Sequence, residues 1–218
     1  MRHVYRSHRL IDPALLTIWA RGWAVSRGVP PPVEADSVLT TEVGLPDQRR
    51  RHLLLDAPNG LATLAATIDM PFVLIKAPIP AATVAALLPG HWHVERTGTM
   101  MTIAVLCKTA TAWRDGYRAV IRADGGTTQI DIVDPAGGQA GRGRMTVIED
   151  HAIFDQIVID PAHRRRGLGR ALMLALANQA TAAGARAGIL TATDMGLGLY
   201  RQLGWVDGAP WTTAQIRP

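Results

Sequence analysis

Cysteine, lysine and serine are nearly absent from this chain of 218 residues, and each scarcity removes a class of function. The single cysteine, Cys107, leaves no internal disulfide framework, and its place after the apolar run Ile103 to Leu106 reads as inert core. Serine occurs only at Ser7, Ser26 and Ser37, never within Gly-x-Ser-x-Gly, which speaks against a serine hydrolase. The only lysines, Lys76 and Lys108, lie outside any Gly-x-x-x-x-Gly-Lys-Ser/Thr context, so there is no P-loop. No apolar run approaches the roughly 18 residues of a membrane-spanning helix. Met1 to Leu10 is basic and lacks the apolar centre of a signal peptide, so the sequence reads as cytoplasmic, with no membrane partner. No internal repeat is legible.

What is present suits a packed core: 48% of residues are hydrophobic and 19% charged, enough for one large domain or two small ones. The formal charge is +5, carried almost wholly by arginine. Such an excess draws anionic ligands without selecting one. Arg49-Arg50-Arg51 reads as a solvated face, and without basic and aromatic residues in alternation no nucleic-acid partner is expected. His91 and His93 would share a strand face with no third ligand near them, so no metal is expected.

Asp12-Pro13 places an N-cap and a first-turn proline before Leu15, Trp19, Trp23 and Ser26, and Gly28 with Pro30 closes the run. A helix is predicted over 13–27, its tryptophans read as core or as a seam between domains. Strands follow over 36–43, 51–56, 72–76, 91–95 and 99–106, with helices over 60–69 and 81–88. Strands over 117–124 and 128–134 flank a Gly125-Gly126 turn, and Pro135 to Gly143 reads as a loop. Strands over 144–150 and 152–160, a helix over 167–183, a strand over 187–192 and a helix over 195–202 complete the order, with Gly204-Trp205 finishing the core. Antiparallel strands feeding a strand–loop–helix–strand crossover predict a mixed α/β sheet with helices on its faces.

The informative segment is Ile157-Val158-Ile159-Asp160-Pro161-Ala162-His163-Arg164-Arg165-Arg166-Gly167-Leu168-Gly169-Arg170-Ala171-Leu172. A strand stops at a proline, a basic loop follows, and two glycines open an Ala/Leu helix. Such a turn aims several free backbone N–H groups at one spot, where the helix dipole and flanking arginines favour phosphate. The dinucleotide fingerprint fails here, because Leu172 stands where its third glycine belongs and no acid ends the next strand.

Arg164-x-x-Gly167-x-Gly169 resembles the acyl-CoA-binding motif of the GNAT superfamily of N-acetyltransferases. Leu199-Tyr200-Arg201-Gln202-Leu203-Gly204-Trp205 is similar to that family's closing pattern, with one helix and one strand between the two motifs. The resemblance covers about 115–210. It implies a central mixed, mostly antiparallel sheet with a splayed strand pair, helices on both faces, acetyl-CoA as co-substrate and no metal. It further implies that Ile157, Val158 and Ile159 pair with the pantetheine arm and that backbone amides of Arg165, Arg166, Gly167, Leu168, Gly169 and Arg170, beside Arg164, hold the diphosphate. Thr193 stands where the family often has Asn, and Tyr200 would protonate the departing thiolate. Residues 1–110 would then form a divergent N-terminal α/β subdomain, a degenerate half-copy walling the acceptor cleft, ahead of a catalytic domain over 111–218.

Acylating an amine needs its neutral form. An alkylamine of pKa near 10.4 is roughly one part in a thousand neutral at pH 7, a handicap of about 4 kcal/mol that a nearby carboxylate relieves. Asp155, taken to share strand parity with Ile157 and Ile159, is the first candidate, or else a salt-bridging strand residue. Glu149 is the second, and His151 the third. The carbonyl's developing charge would meet a backbone N–H near Ile159. The expected function is transfer of acetyl, or another acyl group, to a primary amine of a small molecule or peptide by direct attack in a ternary complex. The alternative is a catalytically silent acyl-CoA-binding regulatory module, and a homodimer is compatible with either.

Overall fold

In the computed structural model, residues 11–114 and 116–218 are described; the basic stretch Met1–Leu10 and Asp115 lie outside them. The first helix, α1 (Pro13–Arg27), forms as its caps dictate. The Asp12 carboxylate accepts from the Ala14 N–H at 2.9 Å, and Gly28 ends the helix in the left-handed conformation. The strands are β1 (Val33–Ala35), β2 (Val38–Leu45), β3 (Gln48–Leu54), β4 (Val73–Ala77), β5 (Trp92–Ile103), β6 (Arg118–Asp124), β7 (Thr127–Val133), β8 (Gln139–Ile148), β9 (His151–Ile159), β10 (Ala187–Ala192) and β11 (Val206–Ile216). Helix α2 (Leu61–Ala66) joins β3 to β4, α3 (Ala81–Leu87) joins β4 to β5, α4 (Leu168–Ala182) joins β9 to β10, and α5 (Asp194–Gln202) joins β10 to β11.

All strands enter one sheet, in the order β1-β2-β3-β4-β11-β5-β10-β9-β8-β7-β6. Only β3–β4 and β9–β10 pair parallel, each across a helix-bearing crossover. Apart from β6 at one edge, the order repeats from either end: β1 to β5 with α2 and α3 correspond to β7 to β11 with α4 and α5. Each half's last strand sits inside the other half. β11 lies between β4 and β5, and β5 lies between β11 and β10. The loops that open α2 and α4 match in detail, for each ends on a left-handed glycine N-cap, Gly60 at φ 73° and Gly167 at φ 78°, followed by a buried leucine. The first loop is shorter and has no counterpart of Arg164–Arg166.

Two cores lie on one face, under α2 with α3 and under α4 with α5, around Leu61, Ile75 and Ala214 and around Ile132, Leu172 and Phe154. The other face carries α1, whose Trp19 packs edge-on against Trp211 at 4.7 Å and joins Leu53, Met100, Ile153 and Ile189. No helix among the described residues is long and apolar enough to cross a membrane.

Three expectations change. Predicted strands 91–95 and 99–106 are one strand, β5, irregular in its register opposite Thr213/Ala214. Predicted loop 135–143 is strand from Gln139, because Gly141 and Gly143 fit a crowded ladder: a Cβ on Gly143 would stand 2.7 Å from Ile157 Cδ1 and 2.8 Å from Leu176 Cδ1. Trp205 does not finish the core. The central strand β11 follows, disguised by Gly208 at a bulge, Pro210 and the Thr212-Thr213 pair.

Buried His52 on β3, hydrogen-bonded through Nδ1 to Thr40 Oγ1 at 2.9 Å, is pushed down to about 4 by burial and by Arg50. Between pH 4 and 6.5 the unfolded chain therefore binds a proton that the folded chain refuses, so stability rises with pH across that window. Urea titrations should show wild type losing on the order of 2–3 kcal/mol as pH falls from 6.5 to 4. His52→Gln should flatten that slope.

Candidate active site

Strands β9 and β10 pair from Ala187–His151 to Leu190–Phe154 and then part, although both continue. Beyond that point β9 bonds only to β8, with Val158 opposite Arg142 and Ile159 opposite Gly141, so its inner edge faces a wedge. Gln156 and Ile157 together oppose Gly143, and Gln156 adopts φ 53°. This bulge turns the strand over. Asp155 consequently does not share a face with Ile157 and Ile159, as simple alternation predicts. Those two pack towards the α4 core, whereas Asp155 lies on the α1 face.

The loop after β9 is braced from within. The Asp160 carboxylate accepts from Ala162 N–H, Arg164 Nε donates to the Ile159 carbonyl at 3.1 Å, and Arg166 donates to Tyr117 Oη at 3.0 Å and to the Ala162 carbonyl. Tyr117 Oη in turn meets His163 Nδ1 at 2.9 Å. Arg164 and Arg166 are thus framework, while Arg165, held at φ 59°, and Arg170 have no side-chain partner among the described residues. The backbone N–H groups from Arg165 to Arg170 have no protein acceptor there either; the helical ladder begins with Ala171 N–H to the Gly167 carbonyl. They lie at the positive end of a 15-residue helix. A Cβ on Gly167 would meet nothing within 4 Å, so open space lies before these amides. Beside them Thr109, Trp113, Arg170 and Leu174 help to line a cleft of about 440 Å³. The chemistry on offer is that of a polyanion cradle, which a CoA diphosphate fits.

The other sequence candidates are scattered around this wedge. Thr193 ends β10 as the exposed N-cap of α5, its side chain uncommitted to the cap. Tyr200 is buried, edge-on to Trp205, and burial pushes its hydroxyl up to about 12. Asp155 is held by Arg27 at 2.5 and 3.0 Å and by Ser26 at 3.3 Å, from the last turn of α1. Glu149 stands in the β8–β9 turn, at the closed end of β9, paired with Arg21 at 3.0 Å. Strand rise puts that turn more than about 13 Å from the wedge. His151 starts β9 at that same end, its Nδ1 2.7 Å from Asp150 Oδ1 but not aligned for a hydrogen bond. Cys107 is exposed rather than core, on the extended segment after β5. Arg51 is also misread as solvated: it is buried, with its guanidinium 3.6 Å from the Trp23 ring centroid. Ser26, Arg27 and Tyr117 escaped sequence reading because their partners lie more than forty residues away.

A parallel pair splays here beside an amide-lined helix start, in a fold shared with known proteins. Residues 124–207 match the family model Acetyltransferase (GNAT) domain. No curated protein matches the sequence. Among solved structures it is similar to a GCN5-related N-acetyltransferase from Kribbella flavida, at 14% identity and TM-score 0.68, over 96% of this chain and 97% of that one. A GCN5-related N-acetyltransferase from Sphaerobacter thermophilus aligns at 14% identity and TM-score 0.60, covering 96% and 95%. A tandem GNAT protein from the clavulanic acid biosynthesis pathway aligns at 15% identity and TM-score 0.54, covering 98% and 97%. At these identities the likeness is one of fold, and it extends through the first half of the chain.

Gly167→Ala forces a methyl into the left-handed conformation, at about 1 kcal/mol, and aims it at the open space before the amides. Calorimetry should show CoA affinity falling about tenfold or more, with only a small loss of melting temperature.

Proposed function

We infer that this chain is an N-acetyltransferase that moves acetyl, or another acyl group, from acetyl-CoA to a primary amine by direct attack in a ternary complex. One observation carries the reading: a run of unpartnered amides from Arg165 to Arg170 at the mouth of a splayed strand pair. The thioester supplies an activated acyl group and a thiolate leaving group. The amides and the free guanidiniums of Arg165 and Arg170 hold the diphosphate. The inner edge of β9 at Ile157, Val158 and Ile159 takes the amide-bearing arm, and an N–H beside the Gln156 bulge receives the carbonyl oxygen. Thr193, on the opposite lip, is free to contact the arm. Residues 1–110 act as a degenerate half-copy that walls the acceptor cleft. Its short loop at Gly60 supports one cofactor site per chain.

Asp155 is the base of this reading. It lies one residue beyond the last β9–β10 pair, on the α1 side, and takes the amine's proton through water, because Arg27 and Ser26 already engage its oxygens. Glu149 is too far along the strand to share the task. Tyr200 keeps its proton throughout the working range, with a hydroxyl near 12. Full transfer from it to a thiolate of pKa near 8.5 is uphill by on the order of 5 kcal/mol. Tyr200 therefore serves as a hydrogen-bond donor to the departing sulfur, a lesser role than general acid.

The test is CoA release from acetyl-CoA across a panel of primary amines, with product mass shifts. Asp155→Asn should cut kcat at least tenfold without changing CoA affinity. Tyr200→Phe should cut it about tenfold, with no new limb in the pH profile below about pH 10. Tight CoA binding with no release for any amine would overturn the reading.

A further inference from the structure

On the α1 face, Lys76 of β4, Thr213 of β11 and Arg96 of β5 stand side by side in register, and Lys76 Nζ donates to Thr213 Oγ1 at 2.5 Å. Arg51 of β3 lies diagonally next to Lys76, beneath Trp23. Lys76 and Arg51 are each about nine-tenths buried. Neither has a carboxylate within ion-pair distance among the described residues. Arg51 hydrogen-bonds only to the neutral Gln48, and Lys76 only to a hydroxyl. Glu95, next to Arg96, is engaged by Arg217. Asp155 acts on Arg51, and Arg27 already spends its charge on that carboxylate.

Burial and the neighbouring Arg51, Arg96 and Arg27 push the Lys76 amine well below the usual ammonium range. Charging the whole row is therefore costly in the free protein, and an anion from outside would favour its charged form. The row ends at the surface, since Arg96 is exposed. Arg27 links the two regions, close enough to act on Arg51 and Lys76 while bonded to Asp155 beside the wedge. We propose that Arg51, Lys76 and Arg96, with Thr213, bind an oxyanion group, carboxylate or phosphate, carried by the same molecule as the acceptor amine. The site thereby orients an acidic amine with its nitrogen towards Asp155 and the wedge. This rests on the acetyltransferase reading for its function, but not for its binding.

Three probes of equal length separate the possibilities: an ω-amino carboxylate, an ω-amino phosphate ester and an ω-amino alcohol. Thermal shift without cofactor reads binding, and CoA release reads turnover. Wild type should be stabilised by at least one acidic probe and not by the alcohol, and should turn that probe over at least tenfold more efficiently. Whether the carboxylate or the phosphate wins identifies the oxyanion. Lys76→Met, of similar volume, should melt about 2–5 °C higher than wild type because a buried amine that resists charging gives way to an apolar side chain. Its discrimination between acidic and neutral amines should fall at least tenfold while CoA affinity is retained. Arg96→Gln, at an exposed position, should weaken acidic-probe binding without the gain in melting temperature. The proposal is overturned if the alcohol performs as well as the acids, if no acidic probe binds, or if both variants keep wild-type discrimination. Loss of the acetyltransferase reading looks different: no probe releases CoA, while the acidic probes still raise the melting temperature.

Discussion

The architecture depends on the exchange of β5 and β11 at the centre of the sheet. Each is the last strand of its own half, and each is hydrogen-bonded on one side to the other half's crossover strand, β11 to β4 and β5 to β10. Pulling the halves apart would open two ladders besides the β5–β11 pair and strand the unpaired backbone groups of both. The halves therefore stand or fall as one sheet. The arrangement also sets where chemistry can happen. With β5 filling the β10 side, nothing constrains the far end of β10 to follow β9, and the wedge opens there. With β11 carrying Thr213 between Lys76 and Arg96, three polar groups meet in a row that neither half could assemble alone.

The wedge itself is held open by backbone devices rather than by side chains. The bulge at Gln156 puts a non-glycine residue into the left-handed region, and the loop repeats the trick at Arg165 and Gly167. Such strain persists where surrounding bonds over-determine it. Here Arg164, Arg166, Tyr117 and Asp160 supply those bonds, which leaves the amides themselves free. The arginines that the motif brought to notice divide their labour: Arg164 and Arg166 brace the loop, and Arg165 and Arg170 have no side-chain partner among the described residues.

Much of this was legible in the sequence. Asp12-Pro13 and Gly28 bracketed α1 to the residue, and the glycines after Ile159 marked the start of α4, because caps and glycine conformations are local chemistry. What escaped was set at long range. No residue type marks Gln156 as a bulge, so alternation put Asp155 on the wrong face. The glycines of β8 looked like a loop, although they are small because Ile157 and Leu176 fill the space above them. β11 hid behind Gly208 and Pro210, and with it the exchange of last strands between the halves, which no sequence repeat betrays. A lysine inside the apolar strand Val73–Ala77 was the available hint of the cationic row, and its meaning needed the register of three strands.

The cationic row and the cradle share a logic: the row has no carboxylate partner and the cradle amides no protein acceptor among the described residues. The cradle is the more basic claim, since the assignment to acyl transfer is built on it. Residue-resolved amide hydrogen exchange with and without CoA tests it most directly. Slowed exchange should be strongest at Arg165 to Arg170 and along Ile157 to Ile159, with little change at the Gly60 loop. Unaltered exchange at Arg165 to Arg170 under saturating CoA would contradict the account.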